Sequence, residues 1–121
     1  MGESAGYTIA HADDLERNGR WGLVRRSIGL GSFGMNLVEI EPGGQIPEHT
    51  EAERDHEEVF VLLRGRAVAV VDGEDHPVSA VSFVRVSPEH RRSVRNDSDE
   101  PVQVLIASAP TTSGFEPLSW A

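Results

Sequence analysis

From Trp21 onward the chain is a succession of short β-prone runs, each closed by a turn signal. Trp21 to Leu30 and Phe33 to Ile40 flank Gly31-Ser32, and Glu41-Pro42-Gly43-Gly44 ends the second run. Gln45 to Thr50 reads as a short strand, and the stretch from Glu51 to Glu57 is polar except for Ala52, which marks a loop. Glu58-Val59-Phe60-Val61-Leu62-Leu63 is apolar at both strand parities from Val59 on, the pattern of a central strand covered on both faces. Gly65 breaks it. Arg66 to Val71 then leads into Asp72-Gly73, a pair suited to a two-residue hairpin because both residues tolerate positive φ. Asp75 to Val78, Val81 to Val86, Arg91 to Arg95 and Val102 to Ala107 supply the remaining strands, with a polar turn from Asn96 to Pro101. Turns at this spacing predict an all-β fold, a small antiparallel barrel or sandwich of short strands with almost no helix.

The only helical signal is one turn at Asp13-Asp14-Leu15-Glu16-Arg17, too short to stand alone. Residues 1–10 read as a loose or edge segment, and the period is lost after Pro110. The expected organisation is an N-terminal segment over 1–20, a barrel over 21–110 and a tail over 111–121. Trp21, Phe60 and Phe83 are expected in the core. The chain has 121 residues, enough for one core with one modest cavity.

The formal net charge is -9, and the basic residues other than histidine are all arginine. An acidic surface repels phosphate backbones and anionic lipid, so no nucleic acid and no membrane are expected as partners. With no cysteine, the chain holds no disulfide, zinc-thiolate site or cysteine nucleophile. Met1-Gly2-Glu3-Ser4-Ala5-Gly6 lacks the basic-then-apolar pattern of a secretion signal, so a cytoplasmic location is expected. No Gly-x-Ser-x-Gly elbow, phosphate loop or dinucleotide motif occurs.

Three side chains carry the chemistry. His49 and Glu51 are two apart on a predicted strand and so share a face. Glu58 opens the next long strand across a polar loop. One imidazole and two carboxylates could hold a divalent metal, and mixed nitrogen and oxygen donors suit Mn, Fe, Ni or Zn. Each also has a plainer reading: His49 as a polar residue at a barrel mouth, and Glu58 as the partner of an arginine. His56 falls in the acidic loop and reads as exposed, with the option of swinging inward as a second nitrogen ligand. His90 reads as a turn residue, and His11 and His76 as surface residues.

At this point the residues resemble the cupin family. Its first motif runs Gly, five residues, His-x-His, a short gap, Glu, six residues, Gly. Here Gly43 is followed by five residues and then His49, and Glu58 by six residues and then Gly65; Pro47 and Glu57-Glu58-Val59-Phe60 fit as well. The resemblance spans roughly 34–107 and implies a jelly-roll barrel with a small-molecule pocket. The second motif survives as Pro88 and Asn96. Counting back from Asn96 puts Arg92 where the family has a third histidine; counting forward from Pro88 puts Ser93 there. The second histidine of the first motif is Glu51, and the gap from Glu51 to Glu58 is longer than the pattern. The family's metal set is thus only partly kept.

Two functional readings follow. In the first, the chain is a small-molecule-binding cupin with a degenerate metal motif, taking an anionic metabolite. Arg92, His49, Glu58 and Phe60 line its pocket, and no metal need be present. Arg92 would meet a carboxylate, from Glu58 or from the ligand, in the bidentate geometry arginine favours. In the second, His49, Glu51 and Glu58 hold a divalent metal in an enzyme of dioxygenase or isomerase type. A third possibility is an interaction domain whose barrel is packed shut. A homodimer is expected, because association removes the liability of an unpaired edge strand, with Phe115, Leu118 and Trp120 able to cover the seam.

Overall fold

The turn signals are where the chain reverses. The computed structural model describes residues 6–121, so residues 1–5 of the expected loose segment lie outside it. The strands are β1 (Arg17–Asn18), β2 (Trp21–Gly22), β3 (Gly34–Ile40), β4 (His56–Arg64), β5 (Arg66–Val71), β6 (Glu74–Ser79), β7 (Ser82–Val86), β8 (Arg92–Arg95) and β9 (Val102–Pro110). They form a six-stranded sheet in the order β1-β2-β3-β9-β4-β7 and a three-stranded sheet in the order β6-β5-β8, with every pairing antiparallel. Bridges from Gln45 to Arg95 and from His49 to Arg92 lay residues 45–49 along the free side of β8. The expected Gln45–Thr50 strand is therefore a bridged segment rather than a continuous ladder. The two sheets are separate hydrogen-bonded layers facing one another, a jelly roll rather than a closed ring.

The β5–β6 hairpin turns through Asp72 and Gly73, whose φ values are 51° and 80°. Gly65 is required on two counts. Its φ is +92°, and an added Cβ would lie 2.7 Å from Val102. Asn96 is fully buried and fastens two turns: its Nδ2 donates to the carbonyls of Ile40 and Glu100, and its Oδ1 accepts from the Ser98 amide and hydroxyl.

Two expectations are corrected. The expected strand from Trp21 to Leu30 ends after Gly22, and Val24–Ile28 form a short helix, α1, closed by Gly29 in the left-handed conformation. Ser27 ties it down, donating to the Leu23 carbonyl and accepting from the Glu16 amide. Phe83, expected in the core, is 73% exposed. Edge strand β7 pairs Val84 with Phe60 and Val86 with Glu58, so alternation turns Phe83 and Arg85 outward. Phe60 is in the core, and Trp21 packs against it. The expected turn near Asp13 is a 3-10 turn at Ala12–Asp14.

The core lies between the layers. Val38 and Ile40 of β3, Phe60 and Leu62 of β4, and Val102, Val104 and Ile106 of β9 face Ile46, Ala67 and Val94. Along the inner face of the large sheet the residue types change with position. One end is apolar, with Ile40, Val102, Val104 and Leu62; the other carries Asn36, His56, Glu58 and Ser108. Apolar burial stabilises the first end by roughly 25 cal/mol per Å², which leaves the second free to hold polar groups and a cleft. Among the described residues, no helix is long and apolar enough to cross a membrane.

Candidate functional site

The bridge between His49 and Arg92 brings the two ends of the motif together. His49 donates its amide to the Arg92 carbonyl at 3.1 Å and accepts the Arg92 amide at 2.9 Å. Directly opposed residues of an antiparallel pair project from the same face, so both side chains turn inward toward β4. This settles the register of the second motif. Arg92 holds the inward position, and Ser93 instead donates its hydroxyl to the Ile46 carbonyl.

The inward side chains converge on Glu58. Arg92 Nη1 donates to Glu58 Oε1 at 3.1 Å, and Nη2 donates to the Ser87 carbonyl at 2.6 Å. His49 Nε2 lies 3.1 Å from Glu51 Oε2 and 3.7 Å from Glu58 Oε1. His49, Glu51 and Glu58 each offer a ligand atom within 4.8 Å of the others. The three expected residues and Arg92 are thus one cluster. Arg54 closes it from outside, with Nε at 3.0 Å and Nη2 at 2.9 Å from Glu51 Oε1.

Burial pushes the Glu58 carboxyl above its ordinary value, and the nearby charge of Glu51 adds to the effect; Arg92, His49 and Arg54 pull the other way. Glu51 is paired with Arg54 and Glu58 with Arg92, so each carboxylate of the cluster has a guanidinium partner.

The chemistry of His49 tests whether a cation fits. Its Nδ1 lies 3.0 Å from the Pro47 carbonyl, which can only accept, so Nδ1 carries a hydrogen. Nε2 then points at two carboxylates, and a proton or a cation must lie between them. A backbone carbonyl fixing the far nitrogen is how metal-ligating histidines are commonly oriented. Nitrogen and carboxylate donors on a buried wall fit a divalent ion such as Mn, Fe, Ni or Zn.

A cleft of about 730 Å³ opens at the polar end of the barrel and reaches Glu58. Arg25 and Arg26 of α1 and Arg54 stand in its wall, with Asn36, His56 and Ser108 deeper in. Arg92, expected to meet the ligand, is only 1% exposed and does not line this cleft. Its guanidinium is spent on Glu58 and Ser87, and its Nε has no partner. Phe60, in the core cluster, lies outside the cleft wall, and so do His49 and Glu51; of the expected site residues only Glu58 lines it. His56, expected in an exposed loop, opens β4 two residues before Glu58 and is half-buried, with its Nδ1 enclosed and unpartnered. The strand period could have shown this, since His56 and Glu58 share a face. His90 pairs with Asp72 at the surface, holding that carboxyl below its ordinary value, and His11 and His76 are exposed. Arg25, Arg26, Asn36 and Ser108 come from α1, β3 and β9 and meet only in the folded chain, so no spacing in the sequence marks them.

The comparisons agree with this architecture. A family model described as the cupin domain matches residues 36–108, and the chain belongs to that family. A cupin protein from Bacteroides fragilis has a similar structure, with TM-score 0.80 and 19% identity over 97% of this chain and 94% of that one. A sugar phosphate isomerase of the cupin superfamily from Silicibacter pomeroyi superposes with TM-score 0.74 and 21% identity, covering 86% of this chain and 76% of that one. A predicted oxalate decarboxylase from Thermotoga maritima gives TM-score 0.61 and 18% identity, covering 65% and 68%. These likenesses show the fold. A comparison with curated proteins gives no match.

Proposed function

We propose that this chain is a small-molecule-binding cupin that takes an anionic metabolite into the cleft at the polar end of its barrel. The observation that carries the proposal is the cleft wall, where Arg25, Arg26 and Arg54 stand above Asn36, His56 and Ser108. In a chain with net charge -9 these arginines gather at one concavity; Arg26 is paired with Glu16 and Arg54 with Glu51, and Arg25 makes no ion pair with a carboxylate among the described residues, which leaves its guanidinium for an incoming anion. Arginine suits carboxylate and phosphate because its planar fork donates two parallel hydrogen bonds. Sugar phosphates and oxalate, named for two of the structural neighbours, are anions of this kind. Arg92 supports the site from below by fixing Glu58 and does not touch the ligand.

A second reading is favoured by the Nδ1 anchor of His49. A divalent ion would be held by His49 Nε2, Glu51 and Glu58 and would supply Lewis acidity toward a carbonyl or enolate oxygen, as an enzyme of isomerase or dioxygenase type needs. His56 would then line the same cleft as a hydrogen-bonding group. The two readings are separated by elemental analysis of untagged protein, followed by a thermal-shift panel of carboxylates and phosphates. Anion-dependent stabilisation that disappears in Arg25→Ala, with no metal present, supports the first reading. Stoichiometric metal lost in His49→Ala supports the second. No response to any anion and no metal would refute both.

A further inference from the structure

Arg54 belongs to two sites at once. Its Nε and Nη2 both bind Glu51 Oε1, yet the side chain is 62% exposed and stands in the cleft wall. Its backbone is fixed. The Asp55 amide donates to the Ala52 carbonyl at 3.2 Å and the His56 amide to the Glu51 carbonyl at 3.3 Å, closing a tight turn. Asp55 also accepts the Thr111 amide at 2.9 Å, which anchors that turn to the end of β9. The Arg54 side chain, by contrast, is largely exposed and held only at its tip, by Glu51. Arg92 differs: it is 1% exposed and holds Glu58 from within the core side.

We propose that Arg54 is a two-position latch, closed on Glu51 in the empty protein and turned into the cleft when an anion is bound. Opening the latch frees Glu51 Oε1 and removes one positive charge from beside His49, Glu51 and Glu58. The cluster then has two carboxylates against the single guanidinium of Arg92, the balance that admits a divalent cation. Anion and cation therefore bind with positive coupling, each raising the affinity of the other by the same factor. The inference rests on both readings together, an anion in the cleft and a divalent cation at His49, Glu51 and Glu58. Arg54 acts as a positioning residue for Glu51 and as a contact for the anion.

The test is isothermal titration with MnCl2, in the presence and absence of sodium sulfate at matched ionic strength, on the wild type, Arg54→Gln and Arg54→Lys. Sulfate is the anion probe because it fits a guanidinium and binds manganese weakly. Without sulfate, Arg54→Gln should bind Mn²⁺ about three- to tenfold more tightly than the wild type, the range set by one exposed ion pair and one removed like charge. Sulfate should raise Mn²⁺ affinity in the wild type and leave Arg54→Gln unchanged, with Arg54→Lys in between. Equal Mn²⁺ affinity in the wild type and Arg54→Gln, equal sulfate effects in both, or no Mn²⁺ binding by either would overturn the latch. The anion reading is judged separately by whether the Arg25 and Arg54 side-chain Nε–H signals move with sulfate alone. Signals that stay fixed reject that reading whatever the manganese titration shows.

Discussion

Replacing Arg92 with methionine keeps most of the stem volume and deletes the charge. In the wild type Arg92 is 1% exposed and Glu58 is 7% exposed, so their contact at 3.1 Å lies away from water. Removing one partner of a buried pair costs roughly 3–5 kcal/mol, because the other charge is left uncompensated. Glu58 has a partial escape, which is to take up a proton. Its carboxyl is already pushed up by burial, and losing Arg92 pushes it further. The sign follows from linkage. A carboxyl raised in the folded state holds a proton that the unfolded chain has released. Its ionisation therefore costs stability as pH rises from the unfolded value through the folded one, and this cost is absent below the unfolded value. Each pH unit across that window is worth about 1.4 kcal/mol. Arg92→Met should thus lose about 3–4 kcal/mol near pH 8 and measurably less near pH 5, read by urea denaturation at the two pH values. Adding Glu58→Leu should recover part of the loss near pH 8, since the stranded charge goes with it. A loss within about 0.5 kcal/mol of zero, or one identical at both pH values, would refute a buried charge pair beneath the cleft.

Other outcomes are equally open to measurement. Gly65→Ala should cost roughly 2–3 kcal/mol in chemical denaturation, from its positive φ and the Cβ clash with Val102. Asn96→Ala should cost roughly 2–4 kcal/mol, because it strands the carbonyl of Ile40 and unties the turn at Ser98; full stability would contradict its role as a fastener. The carboxyls of Asp75 and Asp97 are held low by Arg95, so the stability they confer is present above the ordinary aspartate value and fades as pH falls through their lowered values. Asp75→Asn should flatten that acid limb. Phe83, Val81, Phe115 and Trp120 are all exposed, and a dimer in light scattering that weakens in Phe83→Ser would assign them to a subunit seam; a monomer at high concentration rules the dimer out.

The parts of the fold legible in the sequence were those with local causes. Asp72-Gly73 and Gly65 each need a positive φ, and alternation from Glu58 to Leu62 sets one face of β4. The helix at Val24–Ile28 was hidden because five residues with β-branched ends carry no amphipathic period; its signals were Gly29 at the C-cap and Ser27 bonding within the turn. Phe83 is aromatic and so suggests the core, but on an edge strand parity decides burial, and its parity faces outward. In the site, Glu58 is readable from its place on β4, and His49 from its place in the motif; Glu51, expected on the same strand as His49, lies beyond the bridged segment and is held instead by its amide bond to the Pro88 carbonyl. Arg25, Asn36 and Ser108 are not readable, because α1, β3 and β9 meet there only through the sheet order. Arg92 was legible as the partner of Glu58, but the depth at which it lies is set by the packing of β8 against residues 45–49.

The polar end of the barrel, with its arginine wall, is the site we propose for a small anion. Backbone amide and arginine side-chain NMR shifts, followed during titration with the anion that stabilises the protein most, test it directly. Shifts concentrated at Arg25, Asn36, Arg54, His56 and Ser108, with Phe83 and the outer strand β6 unmoved, are the predicted result. Shifts centred on any other surface, or saturation that survives Arg25→Ala combined with Arg54→Ala, would place the anion elsewhere and refute this site.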